Sequence, residues 1–198
     1  MVEELIVGDT IPPFHVKDHE GYEVTDEDVV GTPLVLYFYP KDETPGCTEE
    51  ACSFRDNMGK FDNLHALVLG VSPDSVESHK KFLEKHKLPF SLLSDEKKDM
   101  CKMFDVLQDD NVVRTTFVIN PRGIIRWIEK SVDVKGHTER VIKAIEEHCQ
   151  EPNLKYRNVE KDYADFLQGS LGVTEDEKAL EKKIMKEFGI KEDDLQEK

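Results

Sequence analysis

Three short runs of this chain are apolar at nearly every position instead of every second one: Leu34-Val35-Leu36-Tyr37-Phe38-Tyr39, Ala66-Leu67-Val68-Leu69-Gly70-Val71 and Thr115-Thr116-Phe117-Val118-Ile119. A strand with one face in water alternates apolar and polar side chains, whereas a strand covered on both faces is apolar throughout. The runs therefore predict an α/β chain with buried strands in a sheet between helices. The intervening segments carry helical patterns to match. Ser72 is placed to cap a helix with Pro73 at its first position, where a missing N–H costs nothing, and the pattern runs to about Lys87 before Pro89. A second helix is expected from about Thr138 to Cys149, with Val141, Ile142, Ile145 and Cys149 facing inward.

Turn residues add two hairpins. Asn120-Pro121-Arg122-Gly123 separates the strand at 115–119 from another at 124–131, which makes the sheet mixed. Asp18-His19-Glu20-Gly21 between Phe14-His15-Val16 and Tyr22-Glu23-Val24 predicts the other, near the start.

At 198 residues, 38% of them hydrophobic, the chain has apolar material for one core, which excludes a wholly disordered polypeptide. Its 42 acidic residues outnumber 27 basic ones, for a formal net charge of −15. Such an excess repels phosphate backbones and anionic headgroups, so neither nucleic acid nor a membrane surface is an expected partner. No apolar run approaches the roughly 20 residues that span a bilayer. Met1-Val2-Glu3-Glu4 lacks the basic start of a secretory signal, and a cytoplasmic protein is expected.

The pattern changes near Glu151-Pro152-Asn153, so residues 1–150 read as one domain and 151–198 as an acidic helical extension. In the extension Val159, Tyr163, Phe166 and Leu167 share one helical face, and Leu180, Ile184 and Phe188 share another behind the capping box Thr174-Glu175-Asp176-Glu177. Helices this short are marginal alone and call for a packing partner: the main domain, a second subunit or another protein.

The segment Tyr39 to Asp56, YPKDETPGCTEEACSFRD, joins the first buried strand to the next helix. Pro45-Gly46 closes the loop and Glu49-Glu50 favours a first helical turn, which puts Cys47 at or beside a helix N-terminus. Unpaired N–H groups there favour a thiolate. A free cysteine, with a pKa of about 8.5, is only a few per cent ionised at neutral pH, and making the thiolate the main form takes roughly 2.7 kcal/mol. A helix terminus supplies at most about 2 kcal/mol, and Glu49 and Glu50 oppose it, so a cation must contribute. Arg55 and Arg114 are both candidates, and the residues alone do not select one. Most cysteines are inert core residues. The Thr-Pro-Gly-Cys context, with Cys52 close behind, argues for an activated thiol here.

The pattern Pro40-x-x-x-Thr44-x-x-Cys47, continued by Arg114-Thr115-Thr116-Phe117, resembles peroxiredoxins of the bacterioferritin comigratory protein, or Q-type, subfamily over about residues 4–149. The resemblance implies a thioredoxin-like fold and a thiol peroxidase that reduces hydrogen peroxide or organic hydroperoxides without metal, haem or flavin. It implies that Cys47 attacks the O–O bond and becomes a sulfenic acid. Thr44 would direct its hydroxyl at the peroxide, Pro40 would shield the pocket from water, and Arg114 would be the missing cation. On the substrate-binding side, backbone N–H groups around Gly46 and Cys47 would complete the cradle and Glu50 would brace the arginine.

Cys52 resembles the resolving cysteine. On an intact helix the two Cα atoms stand roughly 8.6 Å apart, beyond the about 7 Å limit for a disulfide. An intramolecular disulfide thus requires the first turns to unwind, after which a thioredoxin-type dithiol would regenerate the thiols.

Other chemistries find less support. A thiol–disulfide oxidoreductase calls for Cys-x-x-Cys, which Cys47 and Cys52 do not form. Zinc calls for converging ligands, yet His79 and His86 are about 10.5 Å apart along one helix and are expected at the surface. Cys101 and Cys149 read as ordinary helix packing, and Asp109-Asp110 and Asp193-Asp194 as solvated surface. Nucleotide-binding glycine motifs are absent. From a different class, the extension would present Val159, Phe166, Ile184 and Phe188 to clients as a holdase, or would join two chains, leaving monomer and tail-mediated homodimer both open.

Overall fold

The apolar runs form adjacent strands in the middle of a seven-stranded sheet in a computed structural model that describes residues 4–149. In chain order the elements are β1 (His15–Asp18), β2 (Glu23–Thr25), α1 (Asp26–Val29), β3 (Leu34–Phe38), α2 (Pro45–Asp56) and α3 (Met58–Asn63). Then come β4 (Leu67–Ser72), α4 (Val76–His86), β5 (Leu92–Ser94), α5 (Asp99–Met103) and the short pair β6 (Leu107–Gln108) and β7 (Asn111–Val112). The last are β8 (Thr115–Ile119), β9 (Ile125–Lys130) and α6 (His137–His148). The helical stripes expected within 151–198 lie outside the described residues.

The sheet runs β2-β1-β5-β4-β3-β8-β9, with β3, β4 and β5 parallel and the remaining pairings antiparallel. It is the mixed sheet flanked by helices that the sequence predicts, with both hairpins in place. At the second, Asn120 Oδ1 accepts from the N–H groups of Arg122 and Ile124, and Gly123 takes the positive φ of 77°. Burial on both faces explains the continuous apolarity. Val35, Tyr37 and Tyr39 face a cluster with Phe54 of α2, Phe82 of α4 and Val141 and Ile145 of α6. Leu34, Leu36 and Phe38 face the other side, with Met100, Phe104 and Phe117. Each β3 side chain therefore loses water whichever way it points, at about 25 cal/mol per Å² of apolar area.

Two expectations about α4 change. Ser72 does not cap it: Ser72 is the last residue of β4, and its Oγ donates to Asp74 Oδ2 at 2.7 Å. Pro73 and Asp74 make the turn, and Ser75 is the cap, its Oγ accepting from Ser78 N–H at 3.3 Å. The helix ends as expected, at Lys87, which adopts the left-handed conformation. His79 is not at the surface. It lies on the inward face with Phe82 and is fully buried, and His86 is partly covered, its side chain 18% exposed. Helix α6 starts one residue earlier than expected, and Val141, Ile142, Ile145 and Cys149 are all buried. Cys101 is buried in α5, where desolvation and then the Asp95 carboxylate push its thiol pKa far up, so it stays protonated.

Close packing of the central strands is testable at Gly70, whose β4 position pairs with Tyr37 of β3. A Cβ there would stand 2.7 Å from Tyr37 Cζ and Oη and 2.8 Å from Leu92 Cδ2. The substitution Gly70→Ala is expected to cost about 1–3 kcal/mol by overpacking, seen as a lower urea midpoint at unchanged slope.

Candidate active site

Helix α2 begins where the loop after β3 reaches Thr44, the N-cap, with Pro45 at the first helical position. The first intrahelical bond runs from Thr48 N–H to Thr44 O at 2.9 Å, so the N–H groups of Gly46 and Cys47 precede the helical ladder. Cys47 is thus in the first turn, 1% exposed. Its neighbour across the sheet is fixed by register: β3 and β8 are antiparallel with Phe38 opposite Thr115, so the end of β3 and the start of β8 lie side by side. Arg114, just before β8, places Nη2 3.2 Å from Cys47 Sγ. Between the two arginines that sequence left open, geometry puts Arg114 at the sulfur. Arg55 instead donates to Asp56 and to the carbonyl of His86 at the far end of α2.

Glu50, three residues after Cys47, has a side chain with no exposure. Its Oε2 contacts Arg114 Nη1, and its Oε1 is 3.1 Å from Nδ1 of His137 at the start of α6, a close polar contact outside ideal hydrogen-bond alignment. Arg114 thus links Glu50 to the sulfur. Desolvation alone would lower the Arg114 pKa, but the charge of Glu50 and the contact with Cys47 outweigh it and hold the guanidinium more firmly charged than free arginine. Tyr37 lies underneath. Burial first, then the charges of Glu50, Asp42 and Cys47, raise its phenol far above the usual value, so it stays neutral. Gly46 completes the close approach, since a Cβ there would meet Arg114 Nη2 at 3.4 Å.

The loop before α2 has its own anchor. Pro40 is exposed, and Thr44 Oγ1 donates to Lys41 O at 3.1 Å. Between them Asp42 turns inward, accepting from Tyr39 Oη at 2.8 Å and Ser78 Oγ at 2.7 Å, with His79 Nδ1 3.0 Å away. His79 Nε2 is 3.1 Å from Leu93 O. Both ring nitrogens thus face acceptors. Burial works to raise the Asp42 carboxyl, but the hydrogen bond and charge of His79, with Ser78 and Tyr39, prevail and hold it below the ordinary carboxylate value.

Cys52 lies on the same helix, partly exposed, and all four cysteines are free thiols. Three buried partners were not among the sequence candidates: Asp42, His79 and His137. The stripe Val76, His79, Phe82, Leu83 marks His79 as inward, and His137 stands four residues before Val141 on the inward face of α6. Nothing local marks Asp42. Among the described residues, no group of three or more His, Cys, Asp or Glu converges to hold a metal, and no helix is long and apolar enough to cross a membrane.

The model of the AhpC/TSA family matches residues 7–128. Peroxiredoxin Bcp of Bacillus subtilis is 40% identical over 149 residues, covering 71% of this chain and 95% of that protein. The chloroplastic peroxiredoxin Q of Sedum lineare is 43% identical over 143 residues, covering 70% and 77%. A cysteine-to-serine variant of Xylella fastidiosa PrxQ aligns with a TM-score of 0.70 at 35% identity, over 73% of this chain and 98% of that one. Xanthomonas campestris bacterioferritin comigratory protein, studied for its alkyl peroxide reduction activity, aligns with a TM-score of 0.66 at 35% identity, over 68% and 90%. The chain belongs to the AhpC/TSA family and, within it, is a peroxiredoxin of the Bcp/PrxQ subfamily, a thiol peroxidase with a thioredoxin-like fold.

The Asp42–His79 pair predicts an acid-labile anchor. Asp42→Asn is expected to cost about 3 kcal/mol at neutral pH, because it leaves the buried groups that face the carboxylate, Tyr39, Ser78 and His79, without their charged acceptor. A carboxyl with a depressed folded pKa stabilises above its unfolded value, near 4, and loses that effect as pH falls through the folded value. Thermal melts from pH 7 to 3 are therefore expected to show wild type and D42N converging below about pH 4. A gap independent of pH would assign the loss to packing.

Proposed function

We propose that Cys47 is the peroxidatic residue, that its substrates are hydrogen peroxide and alkyl hydroperoxides, and that Cys52 resolves the product. The observation that carries this reading is the Arg114 guanidinium 3.2 Å from Cys47 Sγ in the first turn of a helix. The Cys47 thiolate attacks one peroxide oxygen and the O–O bond breaks. Sulfur is oxidised by two electrons to the sulfenic acid, and the distal oxygen leaves as an alcohol, or as water, after taking up a proton. Arg114 and the N–H groups of Gly46 and Cys47 stabilise the charge developing on that oxygen. Thr44 turns its hydroxyl from Lys41 O to the peroxide, and Pro40 limits water at the rim. Glu50 holds Arg114 from behind.

In the second step the Cys52 thiolate attacks Cys47 Sγ, hydroxide leaves as water, and a disulfide forms. Both cysteines lie within α2, so this step unwinds the helix between them. A dithiol such as thioredoxin then returns two electrons by exchange.

Cys47→Ser is expected to abolish peroxide consumption, and Cys52→Ser to consume one equivalent and stop at the sulfenic acid. Arg114→Ala is expected to slow the peroxide step by about 10²–10³-fold. Peptide mapping after one equivalent of peroxide checks the cycle: a Cys47–Cys52 bridge supports it, and a bridge to Cys101 or to another chain would overturn the resolving role. An unmodified Cys47 would overturn the peroxidatic one.

For residues 151–198 we propose a separate appendage, since PrxQ and Bcp relatives are covered almost to their full length by roughly seven-tenths of this chain. Truncation after residue 150 is expected to preserve peroxidase turnover. If the truncated chain also kept the oligomeric state of the full chain in solution, dimerisation through the extension would be ruled out.

A further inference from the structure

His137 is a buried titratable side chain beside the site that takes no part in the steps above. His137, 1% exposed, opens α6 with Nδ1 3.1 Å from Glu50 Oε1 and its ring edge-on to Phe54, the centroids 5.4 Å apart at 80°. The next residue continues the contact: Thr138 Oγ1 is 2.7 Å from Ser53 Oγ. The first turn of α6 therefore grips α2 at residues 50, 53 and 54, on both sides of Cys52.

The two oxygens of Glu50 meet different elements, Arg114 ahead of β8 and His137 on α6. A carboxylate attached at one oxygen can swing about that contact, whereas a second attachment fixes its plane. The plane of Glu50 orients the guanidinium, and the other nitrogen of that guanidinium sets the contact with Cys47. Positional errors of about 1 Å at a reacting centre are costly.

The same attachment opposes the next step. Glu50 lies between Cys47 and Cys52, so unwinding that segment pulls its carboxylate away from both partners. Oxidation changes the balance at only one of these ties: the sulfenic acid is uncharged, so Arg114 loses its ionic hold on Cys47, while Glu50 keeps its charge and both contacts. The Glu50 tie is then what keeps the turn folded, and His137 gives it a second point of attachment.

We propose that His137 is a positioning residue with opposite effects on the two halves of the cycle. Through Glu50 and Arg114 it speeds the reaction of Cys47 with peroxide, and by retaining Glu50 it slows the unwinding that brings Cys52 to Cys47. The second half rests on the Cys47–Cys52 cycle proposed above.

Rapid mixing of the reduced full chain with hydrogen peroxide, quenched with a thiol-blocking reagent and read by mass spectrometry, separates sulfenic acid formation from disulfide formation. His137→Phe keeps a ring against Phe54 and removes both nitrogens. His137→Asn returns an amide N–H near the Nδ1 position, and His137→Gln directs its amide towards the Nε2 position, away from Glu50. H137F and H137Q are expected to slow the peroxide step about tenfold and to speed disulfide formation severalfold, with less sulfinic acid in excess peroxide because the sulfenic acid survives for less time. H137N is expected to recover both rates.

Two rates that fall together, two unchanged rates, or an H137N that behaves like H137F would overturn the proposal. If H137F does not fold, the contrast between H137Q and H137N decides in the same way. A wild-type chain that forms no Cys47–Cys52 disulfide would sink the cycle and the resolving half together. In that case the peroxide step of the same variants still decides the positioning half.

Discussion

A carboxylate with no access to water organises the reactive end of this chain. Glu50 is fully buried, and an ion in that position costs several kcal/mol unless it is paired on the spot. Arg114 and His137 supply the pairing from different parts of the fold, so one side chain ties α2 to the segment ahead of β8 and to the first turn of α6. The sheet makes this geometry possible. Antiparallel register between β3 and β8 brings the loop that launches α2 beside Arg114, and the sulfur and the guanidinium meet as neighbours across two strands. Of the two acidic residues that follow Cys47 closely, Glu49 is exposed and Glu50 is paired with the cation.

A second buried pair stands on the other side of Cys47. Asp42 and His79 hold the loop between β3 and α2 against α4, and the Asp42 N–H also reaches Asp74 at 2.8 Å. The approach to Cys47 and the turn that contains it are thus pinned by two separate sets of buried polar contacts. Both sets are buried, so each partner matters more than it would at the surface, and neither set is weakened much by salt. This arrangement suits a chain with a formal charge of −15. Surface acidity is screened within about one Debye length, whereas the field at the sulfur is set by groups in contact with it.

Much of this was legible in the sequence because the signals were periodic or local. Continuous apolar runs announced the doubly covered strands, turn residues announced the hairpins, and Pro45-Gly46 fixed the start of α2. The need for a cation at Cys47 followed from magnitudes, yet its identity did not, because Arg114 is 67 residues away and only strand register brings it near. The resemblance to a known family named Arg114 where residue chemistry alone could not. His79 departs from the sequence expectation for a different reason: its distance from His86 along the helix axis says nothing of which face it occupies, and its place on the apolar stripe with Phe82 turns it inward. Ser72 misled because serine caps helices and also closes turns, and Asp74 two residues later favours the turn. His137 was missed at a helix boundary, where pattern reading is least sharp.

The constraint on such a site is that it must hold and also let go. Loosely held, Arg114 would spend little time in line with the sulfur and the peroxide step would suffer. Fixed too firmly, α2 would keep Cys47 and Cys52 on one intact helix, beyond the about 7 Å span of a disulfide. On the proposed Cys47–Cys52 cycle the chain would meet both demands by concentrating the tie at Glu50 instead of spreading it over many apolar contacts. Breaking that tie costs a few kcal/mol, within the range of sub-global openings that leave the rest of a domain folded. Beyond Cys52, Ser53 on Thr138 and Phe54 in the core keep the remainder of α2 docked. On the proposed Cys47–Cys52 cycle the unwinding segment would be bounded: it would start at the Asp42 anchor, end at Ser53, and have Glu50 as its internal catch.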